Sequence, residues 1–286
     1  MKRKSFLKTA ILGSIGVATA KISGAKNSPQ VSSVDQVGFN HLPTKEIRTM
    51  KTVLHKADTR GHANHGWLDS HHTFSFASYY NPDRVQFGTL RVLNDDVVEG
   101  GKGFGKHPHD NMEIVSIPLS GDLKHEDSMG NDAIIKEGDI QVMSAGTGIF
   151  HSEYNNNEDQ AVKFLQIWLF PKDRNVDPRY DQISIRDVAK KNELYQVLSP
   201  NSDDEGVWVH QDAWFFMGDF DAGKSDTYKI KKEGNGVYVF VLEGELKIDG
   251  KDLQKRDGLG IWETDAFNLE ASSDAKVLLM EVPMNA

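Results

Sequence analysis

The chain contains no cysteine, which excludes disulfides and thiolate ligands and leaves any bound metal to histidine and carboxylate. It also lacks an apolar run of the roughly 18 to 20 residues that a membrane-spanning helix needs. Basic residues are outnumbered, 33 against 42 acidic, and the net charge of −9 repels polyphosphate and anionic lipid. A basic patch occurs only in the first eight residues, so nucleic acid is not an expected partner. Helical periodicity is almost missing. From residue 51 onward, short runs of Val, Ile, Phe, Tyr and Thr alternate with Gly, Asp and Asn turns at roughly 8-to-12-residue spacing, a pattern that predicts an all-β sandwich or barrel.

The length of 286 residues exceeds one average domain and predicts two. Lys2-Arg3-Lys4-Ser5-Phe6-Leu7-Lys8 is basic, a weakly apolar Ala- and Gly-rich stretch follows, and small-residue patterns stand at Ala18-Thr19-Ala20 and Ser23-Gly24-Ala25. That is the anatomy of a signal peptide over residues 1–25, similar to the twin-arginine type with Lys in place of the second Arg, and it predicts export to a bacterial periplasm without stable membrane insertion. Residues 26–50 read as a polar linker. Strands are expected at residues 89–93, 113–119, 139–143 and 162–169 of a first domain, 51–172. The polar segment 173–206, with a short helix around residues 185–194, is expected to connect it to a second domain, 207–286. There the expected strands are 213–220, 227–230, 237–242, 246–248, 260–262 and 276–282. Leu119-Ser120-Gly121-Asp122-Leu123 and Leu242-Glu243-Gly244-Glu245-Leu246 repeat one turn pattern in the two halves, pointing to an internal duplication.

The strongest chemical signal is a pair of Gly-framed segments. One carries His107 and His109, with Glu113 four residues on; the other carries His151 and Glu153. Side chains alternate along a strand, so His107 and His109 share one face, as do His151 and Glu153. Two such pairs on one barrel wall can converge on a single divalent ion. Imidazole suits Fe, Mn, Ni, Cu or Zn, and three His with one carboxylate leave coordination positions open.

The surrounding residues make a resemblance specific. Phe74-Ser75-Phe76-Ala77, Phe87-Gly88-Thr89-Leu90-Arg91-Val92-Leu93-Asn94-Asp95-Asp96, Gly103-Phe104 and His107-Pro108-His109-Asp110-Asn111-Met112-Glu113-Ile114 all resemble the pirin branch of the cupin superfamily. So do His125-Glu126-Asp127-Ser128-Met129-Gly130, Gln141-Val142-Met143-Ser144-Ala145-Gly146-Thr147-Gly148-Ile149-Phe150-His151-Ser152-Glu153 and Leu165-Gln166-Ile167-Trp168-Leu169. The resemblance implies a bicupin, two antiparallel β-barrels packed together, with one metal in the N-terminal barrel. Fe(2+) is the first expectation, with Mn, Ni, Cu and Zn as alternatives. For some bacterial members it implies an oxygenase that uses O2 to open the heterocycle of quercetin-type flavonols, making a small aromatic enediol the expected substrate. Eukaryotic pirins are instead associated with redox-linked regulation, which leaves an iron-binding sensor without turnover as the rival reading. Ordinary cupins take their carboxylate ligand from the first motif, here Glu113. The pirin form implies Glu153, which leaves Glu113 to orient a ligand imidazole and to serve as a candidate base.

Other candidates receive plainer readings. His62, His65, His71 and His72 cluster without a recognisable ligand spacing, so no second metal is expected there. His125 reads as a surface hydrogen-bonding residue, and Trp208, Trp214 and Trp262 as core. The second half has only His210 and lacks a His-x-His pair, which predicts a barrel without metal whose role is structural.

Overall fold

The computed structural model describes residues 49–285; the segment read as a signal peptide and residues 26–48 of the linker lie outside them. Among the described residues the chain is almost entirely strand, with two single 3-10 turns, Ala57–Thr59 and Ile185–Asp187. Each half is a pair of facing sheets, one of seven strands and one of four. Each expected barrel is thus an open two-sheet cupin sandwich rather than a closed cylinder.

The large N-terminal sheet is built around Val162–Leu169, paired on one side with Leu90–Val98 and on the other with Glu113–Ser120, which in turn pairs with Asp139–Ser144. Both faces of these strands are covered, so burial runs almost unbroken along Glu113–Ser120, Asp139–Ser144 and Val162–Leu169. One face packs against the C-terminal half: Leu93, Val115, Ile117, Val142, Leu165 and Ile167 join Val197, Phe215, Tyr238, Phe240, Leu278 and Met280 in a single cluster. The other face looks into the N-terminal sandwich towards the small sheet of Gly103–His109, Ile149–Asn155, Leu123–Asp127 and Asp132–Ile135. In the C-terminal half the equivalent interior is filled by Phe220, Tyr228, Val239, Val241, Leu246, Ile248, Phe267 and Leu269, an apolar core.

Two expectations about the chain's route are corrected. The segment 173–206 is not an irregular connection: Arg179–Ser184 pairs with Asp139–Ser144 at the edge of the N-terminal sheet, and Leu194–Ser199 pairs with Trp214–Phe220 in the C-terminal sheet. The helix expected at residues 185–194 shrinks to the turn Ile185–Asp187. Lys51–His55, placed in the first domain by its position, pairs instead with Gly258–Trp262 of the C-terminal sheet, and His55 Nδ1 meets the buried Tyr238 hydroxyl at 2.8 Å. The physical reason is common to all three strands. An open sheet edge leaves unpaired N–H and C=O groups, and a neighbouring extended segment that satisfies them is favoured over a solvated linker.

The three tryptophans of the second half are half-buried rather than deep in the core. Trp262 and Trp214 pack against the edges of the two large clusters, while Trp208 lies 4.0 Å from the Arg179 guanidinium carbon.

Candidate metal centre

Gly103–His109 and Ile149–Asn155 run antiparallel with His107 directly opposite His151 and His109 opposite Ile149. The register slips between His151 and Glu153, the signature of a bulge that re-aims neighbouring side chains. On the other flank, Leu123–Asp127 sets His125 opposite Glu153. Burial alternates along Ile149–Asn155, with His151 and Glu153 turned inward and Phe150 and Tyr154 outward. At Gly103 an added Cβ would stand 2.3 Å from the Glu153 carbonyl oxygen, so the close approach of the two strands requires glycine there.

Three imidazoles converge. The ring centroids of His107 and His151 are 4.4 Å apart, those of His107 and His109 and of His109 and His151 4.9 Å. One donor atom from each of the three lies within 4.8 Å of the others, and the same holds for the group His125, His151 and Glu153. His151 belongs to both groups and both its ring nitrogens are buried without a hydrogen-bond partner. His107 Nδ1 lies 2.7 Å from the Gly105 carbonyl oxygen. A carbonyl only accepts, so Nδ1 carries the hydrogen and Nε2 keeps its lone pair.

Burial, followed by the positive charge that His151 and His107 would carry, holds His109 down at about 4. Burial, His107 and His125 hold His151 at about 3. Both are therefore neutral near pH 7, with lone pairs free. Glu153 is buried, its Oε1 3.0 Å from the Ser116 hydroxyl and its Oε2 receiving the Gln166 amide at 2.7 Å. An unpaired lone pair on a buried imidazole nitrogen costs free energy that a ligated cation removes. Neutral imidazoles beside a hydrogen-bonded carboxylate suit a d-block divalent ion.

Two expectations fail here. Glu113 does not orient a ligand imidazole. Its Oε2 accepts from the Ser144 hydroxyl at 2.7 Å and from the His210 backbone N–H at 3.3 Å. The cause is strand period: Ser116 points into the sandwich at Glu153, and Glu113, three residues away, points out of the opposite face towards the C-terminal half. Nor does Glu113 line the cavity described below, so it is badly placed as a base. Burial pushes its carboxyl up to about 7, against the opposing effects of Ser144, the His210 N–H and Arg179. His125 is not a surface residue; it is fully buried beside His151, ring centroids 5.3 Å apart, with Nε2 3.2 Å from Asp127 Oδ2. The alternation of Leu123, His125 and Asp127 after the Gly121 turn was the available signal.

The histidines of the 107–109 strand and Glu153 border a cavity of about 510 Å³. Leu68, Phe76, Phe104 and Trp168 supply apolar walls, while Ser70, His72, Asn94, Asp96 and Gln166 supply polar ones. His72, one of the four histidines that cluster without a ligand spacing in the sequence, is buried in this wall, and His65 lies at it. Asp96 was not singled out by any motif spacing. Burial pushes its carboxyl up to about 7, a hydrogen bond from Ser70 opposes this, and the negative charges of Asp95 and Glu153 reinforce it.

Comparison with known proteins bears on this geometry. The Pirin family model matches residues 53–169, and that of the quercetinase C-terminal cupin domain matches residues 196–282. The chain is 45% identical over 230 residues to the quercetin 2,3-dioxygenase of Escherichia coli (strain K12), covering 80% of this chain and 98% of that protein. It is 36% identical to the pirin-like protein of Caulobacter vibrioides over 78% of this chain and 96% of that protein. Among solved structures, the nickel(II) complex of the bacterial pirin YhhW from Escherichia coli matches with a TM-score of 0.77 at 42% identity, covering 82% of this chain and 99% of that one. A quercetin 2,3-dioxygenase from Acinetobacter baumannii matches with a TM-score of 0.68 at 22% identity over 81% and 86% of the two chains, a likeness of fold.

Proposed function

The chain belongs to the pirin family, and from that premise we propose that it is a metal-dependent dioxygenase that opens a flavonol or a related aromatic enediol with O2. The ion is held by His107, His109, His151 and Glu153, with Fe(2+) as the leading candidate. The observation that carries the reading is the convergence of three imidazoles, His107, His109 and His151, with the buried Glu153 carboxylate grouped beside His151, at a half-apolar cavity of about 510 Å³ that His107, His109 and Glu153 border, within the size range of small-molecule sites. The nickel in the pirin relative and the donor set here both support a metal ion.

A bound divalent ion supplies Lewis acidity to the hydroxyl and ketone oxygens of such a substrate. The protein's own contribution is positioning. Phe76, Phe104 and Trp168 offer aromatic surface to a flat ring system. His72 Nδ1, Asn94 Oδ1 and Trp168 Nε1 are buried polar atoms without a partner on wall residues, and hydroxyls on the ligand satisfy them. Asp96, with its carboxyl near 7, takes the place first given to Glu113: a group that titrates near working pH is suited to accept a substrate hydroxyl's proton. Gln166 and Ser116 hold Glu153 in orientation.

The test is anaerobic loading with Fe(2+), Mn(2+), Ni(2+), Cu(2+) or Zn(2+), followed by oxygen uptake with a flavonol panel. The proposal expects flavonol loss and oxygen loss in equal amounts. Redox cycling of iron without substrate loss identifies the sensor reading instead, and neither response identifies a metal kept for stability. Export to the periplasm, supported by the basic segment and small-residue patterns of residues 1–25, is part of the same proposal. Mass spectrometry of chain from the cell envelope should find a start near Lys21 or Lys26, and recovery of the intact chain from cytoplasm would overturn it.

A further inference from the structure

The hairpin that walls one side of the cavity carries a second cluster on its outer face. Gly61–Asn64 and Leu68–His72 pair antiparallel, with His62 opposite His71 and Asn64 opposite Asp69. Alternation sends Ala63, Leu68, Ser70 and His72 towards the cavity and His62, Asp69 and His71 the other way. Directly opposed cross-strand side chains start about 5 Å apart at Cβ, and here they meet. The imidazoles of His62 and His71 stack with centroids 4.4 Å apart and planes 18° from parallel. Asp69 Oδ1 lies 2.9 Å from His62 Nε2 and 3.6 Å from His71 Nδ1. One donor atom from each residue falls within 4.8 Å of the other two. The second carboxylate oxygen of Asp69 is held by the Asn64 amide at 3.2 Å, leaving Oδ1 directed at the two rings.

We propose that His62, Asp69 and His71 form a second, surface site for a borderline divalent transition metal such as Cu(2+), Ni(2+) or Zn(2+). Two imidazoles and a carboxylate are the donor types those ions select. The side chains are 51%, 39% and 39% exposed, so the ion enters from solvent and water completes its coordination. The nearby positive charge of Arg60 is met by Asp95, 3.3 Å away. An ion here bridges the two strands of an edge hairpin whose inner face lines the cavity, and so tethers that wall. The site is independent of the inner centre: it shares no residue with it and requires no catalytic activity.

Metal-free full-length chain is titrated with Cu(2+) or Zn(2+) by calorimetry, with metal content measured after desalting and folding checked by circular dichroism. The wild type should take up two equivalents, one tight and one weaker. His62→Gln and His71→Gln should each lose the weaker equivalent and keep the tight one, whereas His109→Ala should keep the weaker one. With Cu(2+), His109→Ala should show electron paramagnetic resonance hyperfine structure from two nitrogens. A single equivalent in the wild type, or a weaker equivalent that persists in His62→Gln and His71→Gln, overturns the proposal. Should either His variant fail to fold, Asp69→Asn gives the same reading.

Discussion

Replacing Gln166 by Leu isolates the support of the metal centre from its ligands. The amide of Gln166 donates to Glu153 Oε2 at 2.7 Å inside a buried site, and Leu occupies similar volume without the donor. A charge-assisted hydrogen bond of this kind is worth about 1.5–3 kcal/mol. The Ser116 hydroxyl at 3.0 Å from Oε1 stays in place, so the carboxylate is loosened rather than released. Loss of a partner that orients a ligand is expected to weaken metal binding about 10- to 100-fold, which at about 1.4 kcal/mol per tenfold is about 1.4–2.8 kcal/mol. The two figures agree. Competition against a chelator of known affinity measures it, and the stoichiometry of the tight equivalent should survive at saturating metal. An affinity within twofold of wild type, together with a lowered Tm, would refute the reasoning, because Gln166 would then serve the fold and not Glu153.

Removing the tight metal with a chelator should lower Tm. Metal that binds only the folded chain at 100 times its Kd adds about 2.7 kcal/mol, which for a chain of this size is about 5–10 °C, and a calorimetric scan with and without chelator reads it. The same scan across pH tests Glu113. Its folded carboxyl sits at about 7 against an ordinary 4.5, so the folded state holds the proton more tightly than the unfolded one. The stability this confers is complete below about 4.5 and is lost as pH rises towards 7, with a ceiling of about 3 kcal/mol. In metal-free protein Glu113→Gln should therefore lose less stability than wild type between pH 5 and pH 8. Parallel pH profiles for the two would contradict the assignment.

The inner strands were legible as short runs rich in Val and Ile between turns: Val162–Leu169 was expected with its observed bounds, and Glu113–Ser120 and Asp139–Ser144 differ from expectation at one end. Period two showed that His107 and His109 share one strand face and His151 and Glu153 another; the resemblance implied that the two pairs meet, and the strand pairing brings His107, His109 and His151 together. What local pattern could not supply was the destination of edge strands. Lys51–His55 and Arg179–Ser184 carry no signal naming their partners; the unpaired edges of distant sheets decide it. Glu113 was misread because its nearness to His109 in sequence hides the fact that it lies on a different strand and a different face. His125 and Asp96 were missed because a single inward polar residue is indistinguishable from a surface one until the opposing sheet is in place. The outer pair of His62 and His71 was passed over for a similar reason, since cross-strand opposition depends on the hairpin register and not on sequence spacing.

The central claim is that Glu153, and not Glu113, completes the inner centre with His107, His109 and His151. It is tested most directly by measuring the affinity of the tight metal equivalent in Glu153→Gln and Glu113→Gln side by side. The geometry predicts a marked weakening in Glu153→Gln and an affinity close to wild type in Glu113→Gln, with His109→Ala abolishing the tight equivalent altogether. A Glu113→Gln variant that loses the metal while Glu153→Gln retains it would contradict the account.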